Sequence, residues 1–175
     1  MAILKTNLND GYELLQPWSV PVFRTVIPKN VFDSVYDLSE NVLQNPNSES
    51  WGHQLAGQIK TEKHIDLTLL NSYGINTFFK NILTQFILEC KTQMMPENNE
   101  KVMSNDYDVN IKSMWIVSQK PGEYNPIHYH TNCKISGVMY LKLPDILPSI
   151  KNNKDDGSIT FFNAGTRDLE FSNPN

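Results

Sequence analysis

Cysteine is scarce in this chain, with two residues, Cys90 and Cys133, among 175. Two thiols so far apart give neither a disulfide framework nor a zinc-type pair, and each reads as a reduced, small, partly buried side chain. Long apolar runs are missing as well: nothing approaches the ~20 residues needed to cross a bilayer. Residues Met1 to Asp10 include Lys5 and lack the apolar block of a signal peptide, so a cytoplasmic, reducing location is expected. Nor is there an excess of positive charge. The 15 basic and 19 acidic residues leave a net charge of −4. Non-specific nucleic-acid binding needs a dense cationic face to displace counterions from phosphates, which argues against that class. Lys60, Lys63, Lys142, Lys151 and Lys154 are dispersed among acidic and polar residues and read as solvated surface. A Gly-rich phosphate loop, a nucleophile elbow and a CxxC pair are all lacking.

What is present suits a single domain, 1–175, with a sizeable core: 39% of the residues are hydrophobic and 19% charged, a balance unlike a disordered acidic segment or a coiled coil. Up to Pro28 the chain reads as irregular or short extended pieces broken by Pro17 and Pro21, with Val20, Val22 and Phe23 as strand-forming material. Pro28-Lys29-Asn30 then opens a helical pattern in which Val31, Phe32, Val35, Tyr36, Leu38, Val42 and Leu43 recur near helical spacing. Asn, Pro and Ser between Gln44 and Ser50 mark a loop. A second helical region runs from about Leu67 to Met95 with a break near Gly74. Its stripe of Phe78, Phe79, Ile82, Leu83, Phe86, Ile87 and Leu88 is expected to be core.

After a polar loop over 96–105 the period changes from 3.6 to 2. Val109, Ile111, Ser113, Trp115 and Val117 alternate with Asn110, Lys112, Met114 and Ile116, as on a strand. Lys120-Pro121-Gly122-Glu123 is a turn, Lys134 to Leu143 a second strand, Pro144 to Asp156 a polar connection, and Ser158 to Phe162 a third strand. Helices first and then an antiparallel sheet point to an α+β fold, or to a β-sandwich supported by helices on one face. In this division 1–105 is mainly helical support and 106–175 holds the sheet.

The chemistry is concentrated in Gly122 to Leu143. The chain has four histidines, and two of them, His128 and His130, stand in H-x-H spacing just before the second strand. On an extended segment residues i and i+2 point to one side, so both imidazoles can face one metal. Imidazole suits iron, zinc, copper and nickel without choosing among them. The plainer alternative is two loop histidines that hydrogen-bond locally. Pro121-Gly122 and Asn125-Pro126 bend the chain ahead of the pair and apolar residues follow it, the setting of a concave site. His53 and His64 have no near neighbour at ligand spacing and read as surface or capping histidines.

At this point the sequence resembles a known family. Trp115, then Gln119 to Pro126, then His128-Tyr129-His130-Thr131-Asn132 and Ser136-Gly137-Val138-Met139-Tyr140-Leu141 are similar to the iron(II)/2-oxoglutarate oxygenases of phage and marine bacterial genomes, described as prolyl-4-hydroxylase-like. Ser50 to Lys60 looks like the same family's N-terminal signature, and the likeness runs from about Phe32 to Phe162. The resemblance implies a double-stranded β-helix (jelly-roll, cupin-like) with N-terminal supporting helices. It also implies Fe(2+) and 2-oxoglutarate as cofactors, and a reaction in which 2-oxoglutarate is decarboxylated to succinate while O₂ hydroxylates a C–H bond. In such sites two histidines and a carboxylate hold the metal. His128 falls at the first ligand, whereas His130 stands where the wider superfamily has the carboxylate, a neutral ligand in place of an anion. Asn125, Ser136 and Tyr140 are the candidates for contact with 2-oxoglutarate, and Tyr140 reads equally as a core aromatic. Trp115 and Tyr124 are expected to pack. If the source is viral, the location becomes the host cytoplasm.

The family's distal histidine and its 2-oxoglutarate-binding arginine lie beyond the segment matched by Asp156 to Phe161. No histidine follows here, and Arg167 falls too early to be that arginine. A C-terminally truncated, incomplete barrel is the expectation, with an open sheet edge that favours a homodimer. Two other readings stand beside the oxygenase. One is a cupin-type metalloenzyme, suggested by Gly122-x5-His128-x-His130 but lacking the glutamate that motif wants near Lys134 and Ile135. The other is a non-catalytic β-helix binding module with a degenerate metal site. The substrate, small molecule or peptide, is not written in the sequence, because the loops that form its side of such sites vary freely.

Overall fold

A computed structural model of the chain describes residues 2–7, 11–16, 21–94, 107–144, 157–162 and 169–171. Among the described residues before Pro28, regular strands stand where the prolines suggest irregular pieces. Strands β1 (Ala2–Asn7), β2 (Tyr12–Gln16) and β3 (Val22–Thr25) form an antiparallel meander in that order. Pro21 stands just before β3 and Pro28 just before the first helix, so neither interrupts a ladder. Tyr12 and Leu14 are buried, and Leu14 pairs with Phe23. On the opposite face Glu13 meets its cross-strand partner Arg24 at 2.6 Å, a partly exposed ion pair of small energetic weight.

Helix α1 (Lys29–Gln44) buries Val35, Leu38 and Val42, one stripe at helical spacing. Buried Ser39 satisfies its hydroxyl by donating to the Val35 carbonyl at 2.7 Å. After the expected loop come strand β4 (Glu62–His64), the short helix α2 (Leu69–Ser72) and the long helix α3 (Asn76–Met94). The break between the helices is at Gly74, whose φ is +69°. Gly74 N–H donates to the Asn71 carbonyl and Ile75 N–H to that of Leu70, a Schellman termination that a left-handed glycine permits.

The core gathers Val35, Leu38, Val42, Ile65, Leu70, Ile75 and Ile116, with Phe79, Ile111, Met114, Met139 and Leu141 partly buried against it. The stripe expected to be core on α3 is only half-buried over Phe78 to Leu88. Part of it serves the N-terminal sheet. Phe86 packs 5.7 Å from Phe23, Phe23 stacks at 4.9 Å on Tyr12, and the Tyr12 hydroxyl donates to Glu89 at 2.7 Å. Cys90 is partly buried and Cys133 exposed, both as free thiols. Desolvation, with Glu89 adding, pushes the Cys90 thiol up to about 11.

The C-terminal region departs most from the expected strands. Of the alternating segment only Trp115–Val117 is strand, here β5, and it pairs antiparallel with β4. Residues 134–144 run without a strand partner among the described residues. They keep the strand alternation nonetheless: Met139 and Leu141 lean on the core while Val138 and Tyr140 stay exposed. Strand β6 (Ile159–Phe161) lies within the expected third strand and pairs antiparallel with β7 (Leu169–Phe171), which the sequence had not marked. Among the described residues the strands form three separate sheets, and none closes on itself. The polar stretches 95–106 and 145–156, together with Arg167, lie outside the described residues. Among those described, no helix is long and apolar enough to cross a membrane.

Candidate metal centre

The platform of the site is the β4–β5 pair. His64 stands opposite Trp115, Lys63 opposite Ile116 and Glu62 opposite Val117. Directly paired residues share a face, so the sheet has two characters. Ile116 turns into the core beneath α1, whereas Glu62, His64, Trp115 and Val117 belong to the other face. The ladder continues past the named strands through Ile65 N–H to the Met114 carbonyl and Ser118 N–H to that of Thr61. Along the other edge of β4, Trp51 N–H donates to the Glu62 carbonyl at 2.9 Å and His64 N–H to the Glu49 carbonyl at 3.0 Å.

The bend that leads to the histidines is tightly fixed. Pro121 and Gly122 occupy the centre of a turn closed by Glu123 N–H to the Lys120 carbonyl, 3.0 Å, and Gly122 takes the positive φ of +83° that such a type II turn requires. The Glu123 carboxylate then accepts from the backbone N–H groups of Lys60 at 3.2 Å and Lys120 at 2.8 Å. Gln119 Nε2 donates to the Glu123 carbonyl, and Gln58 N–H to that of Tyr124. Tyr124 contributes this backbone bond while its ring stays exposed, contrary to its expected packing role. The exposed segment that follows thus starts from a turn held by charge-assisted bonds.

His128 and His130 come together on one side of that segment. Their ring centroids are 5.1 Å apart and nearly perpendicular, and His130 lies 5.8 Å from Trp115. His128 Nδ1 is 2.7 Å from the Pro126 carbonyl. A carbonyl can only accept, so Nδ1 carries the hydrogen, and it is Nε2 that the neutral tautomer leaves to a metal, the arrangement in which a histidine is oriented for one. Desolvation, then the neighbouring His128, hold the His130 imidazole below its ordinary range and favour the neutral, metal-binding form. Between and beside them Ile127 and Tyr129 are 73% and 85% exposed and alternate with the pair. Donor chemistry and ring placement fit two ligands of a first-row metal. Among the described residues no third histidine, cysteine or carboxylate completes the set.

The cosubstrate candidates separate. Asn125 lies at the platform, its Oδ1 close to Gly57. Ser136 is exposed, and Tyr140 keeps its hydroxyl protonated to higher pH through desolvation. Among the described residues no hydrogen bond or ring contact joins Ser136 or Tyr140 to the histidine pair. Trp115, expected only to pack, is the residue against His130. His64, read as a surface histidine, is partly buried and stacks on Trp51 at 4.3 Å, with Glu49 3.5 Å from its Nδ1. Glu62 also belongs to this face and was not singled out in the sequence, while Trp51, read there only within the Ser50 to Lys60 signature, packs on His64. The signal available was the alternation Glu62-Lys63-His64, three residues too short to stand out from a loop.

Comparison with family profiles finds one described as "Putative 2OG-Fe(II) oxygenase" over residues 113–173. This is the family that the motifs resemble, and the matched stretch begins on the β5 side of the platform and includes both histidines. Comparisons with curated proteins and with solved structures gave no match.

Proposed function

We propose that this chain is an iron(II)/2-oxoglutarate-dependent dioxygenase, a hydroxylase whose C-terminal half belongs to a double-stranded β-helix. The oxygenase family match over residues 113–173 supports the class. The observation that carries the site is the pairing of two imidazoles 5.1 Å apart with the metal-facing nitrogen of His128 freed by the Pro126 carbonyl. His128 and His130 hold the metal in this reading, and Asn125, Ser136 and Tyr140 are the candidates to receive 2-oxoglutarate. When bound, iron(II) with 2-oxoglutarate supplies O₂ activation for hydroxylation of a C–H bond. The chain's own part is to keep the His130 ring neutral and the two rings converging, and to fix the approach through the 120–125 turn. Trp115 shields one side of His130 from water, which favours the neutral ring.

The absence of a third ligand among the described residues favours a second reading, a β-helix binding module with a two-histidine remnant. One experiment separates the two. Anaerobic addition of iron(II) and 2-oxoglutarate gives a weak visible charge-transfer band for the oxygenase. A chain that binds iron(II) without that band, or binds none, fits the module.

A further inference from the structure

Glu62 is the one buried carboxylate among the described residues. It is 2% exposed, and neither of its oxygens has a hydrogen-bond partner. An ionised carboxylate buried without donors is strongly disfavoured, so such a group takes up a proton or finds a donor. Its surroundings say which. Oε2 lies 3.1 Å from where a Cβ on Gly52 would stand, and Oε1 lies 2.7 Å from the corresponding point at Gly57. That same point is 2.6 Å from Asn125 Oδ1. Both oxygens therefore reach into the space left by the missing side chain of Gly57, and an alanine there collides with both. Two acceptors that border one small space are reconciled when one of them carries a hydrogen towards the other. The charged neighbour of the group is Glu123 from the 120–125 turn, and His64 follows two residues on along the same face of β4. Desolvation first, and the charge of Glu123 second, push the Glu62 carboxyl above the usual range, towards the form that can donate.

We propose that Glu62 is a positioning residue whose carboxyl O–H donates to Asn125 Oδ1, turning the two N–H donors of the Asn125 amide outward to receive a carboxylate of the cosubstrate. The opposite amide orientation presents Oδ1 to the cosubstrate and repels it. Asn125 is exposed and stands three residues before His128, on the segment that carries the candidate centre. The choice of cosubstrate rests on the oxygenase reading; the Glu62–Asn125 bond does not.

Two measurements test it. In the metal-free chain at neutral pH, infrared difference spectra against E62Q should contain a protonated-carboxyl band, and N125A should shift that band. No band, or a band that N125A leaves in place, overturns the bond. In the manganese-loaded chain, binding of 2-oxoglutarate read by calorimetry should survive E62Q, whose amide still donates, within about threefold. E62A should weaken it roughly tenfold, the scale of one lost hydrogen bond. Equal affinity in E62A and wild type overturns the orienting role. If the wild type itself binds no 2-oxoglutarate, the oxygenase reading falls, while the infrared result still decides the bond.

Discussion

Residues 29–75 and 107–144 handle their apolar side chains in opposite ways. The first stretch hides Val35, Leu38, Val42, Ile65, Leu70 and Ile75 in one cluster and closes its helix with a left-handed glycine. The second contributes one buried residue, Ile116, and leaves Ile127, Tyr129, Val138 and Leu143 in solvent. Yet the second carries both candidate ligands and the family match. Stability and chemistry are thus divided along the chain, and β4–β5 is the seam where they meet, core on one face and Trp115 with His64 on the other.

That contrast can be broken most sharply by truncation. Leu38→Ala, at 1% exposure, should cost about 2–5 kcal/mol in urea unfolding. Ile127→Ala, at 73% exposure, should stay within about 0.5 kcal/mol. Similar losses at the two positions would show the histidine segment to be packed in solution. Next in size is His128→Ala. Metal affinity measured by titration should fall more than ~100-fold, beyond the usual loss for a residue that merely orients a ligand, while the melting temperature of the metal-free chain hardly moves. Unchanged affinity would remove His128 from the site.

The smallest effect concerns the seam. The folded chain holds the Glu62 carboxyl above its ordinary range, so it binds that proton more tightly than the unfolded chain. The resulting stability is complete below the ordinary carboxylate range and declines as pH rises through the raised value. Glu62→Gln should flatten this decline and gain relative to wild type at the alkaline end, as read from melting temperature against pH. Parallel curves for the two proteins would place the carboxyl in water.

Local signals carried the sequence reading where they were long. Sixteen residues of α1 and nineteen of α3 give enough turns for a period to emerge, and Gly74 punctuates them as expected. The N-terminal meander was obscured by prolines that sit outside its ladders. The burial of α3 was overestimated because Phe86 spends its ring on Phe23 and the small N-terminal sheet, a partner that helical periodicity cannot reveal. At the site, H-x-H spacing sufficed to bring His128 and His130 together. It could not show Trp115 against His130, or Glu62 and Asn125 both bordering Gly57, since the fold rather than local spacing brings these residues together. The expected strand at Lys134 to Leu143 has the right alternation, yet among the described residues no neighbour bonds to it.

The alternation of His128 and His130 with Ile127 and Tyr129 ties assembly to chemistry. Should this segment gain a strand neighbour, sliding by a single residue would offer the metal an isoleucine and a tyrosine in place of two imidazoles. In the proposed site a bound ion would therefore act as a proofreader of alignment: only the correctly threaded form could retain it, and loading with metal and choosing the right pairing would become one event.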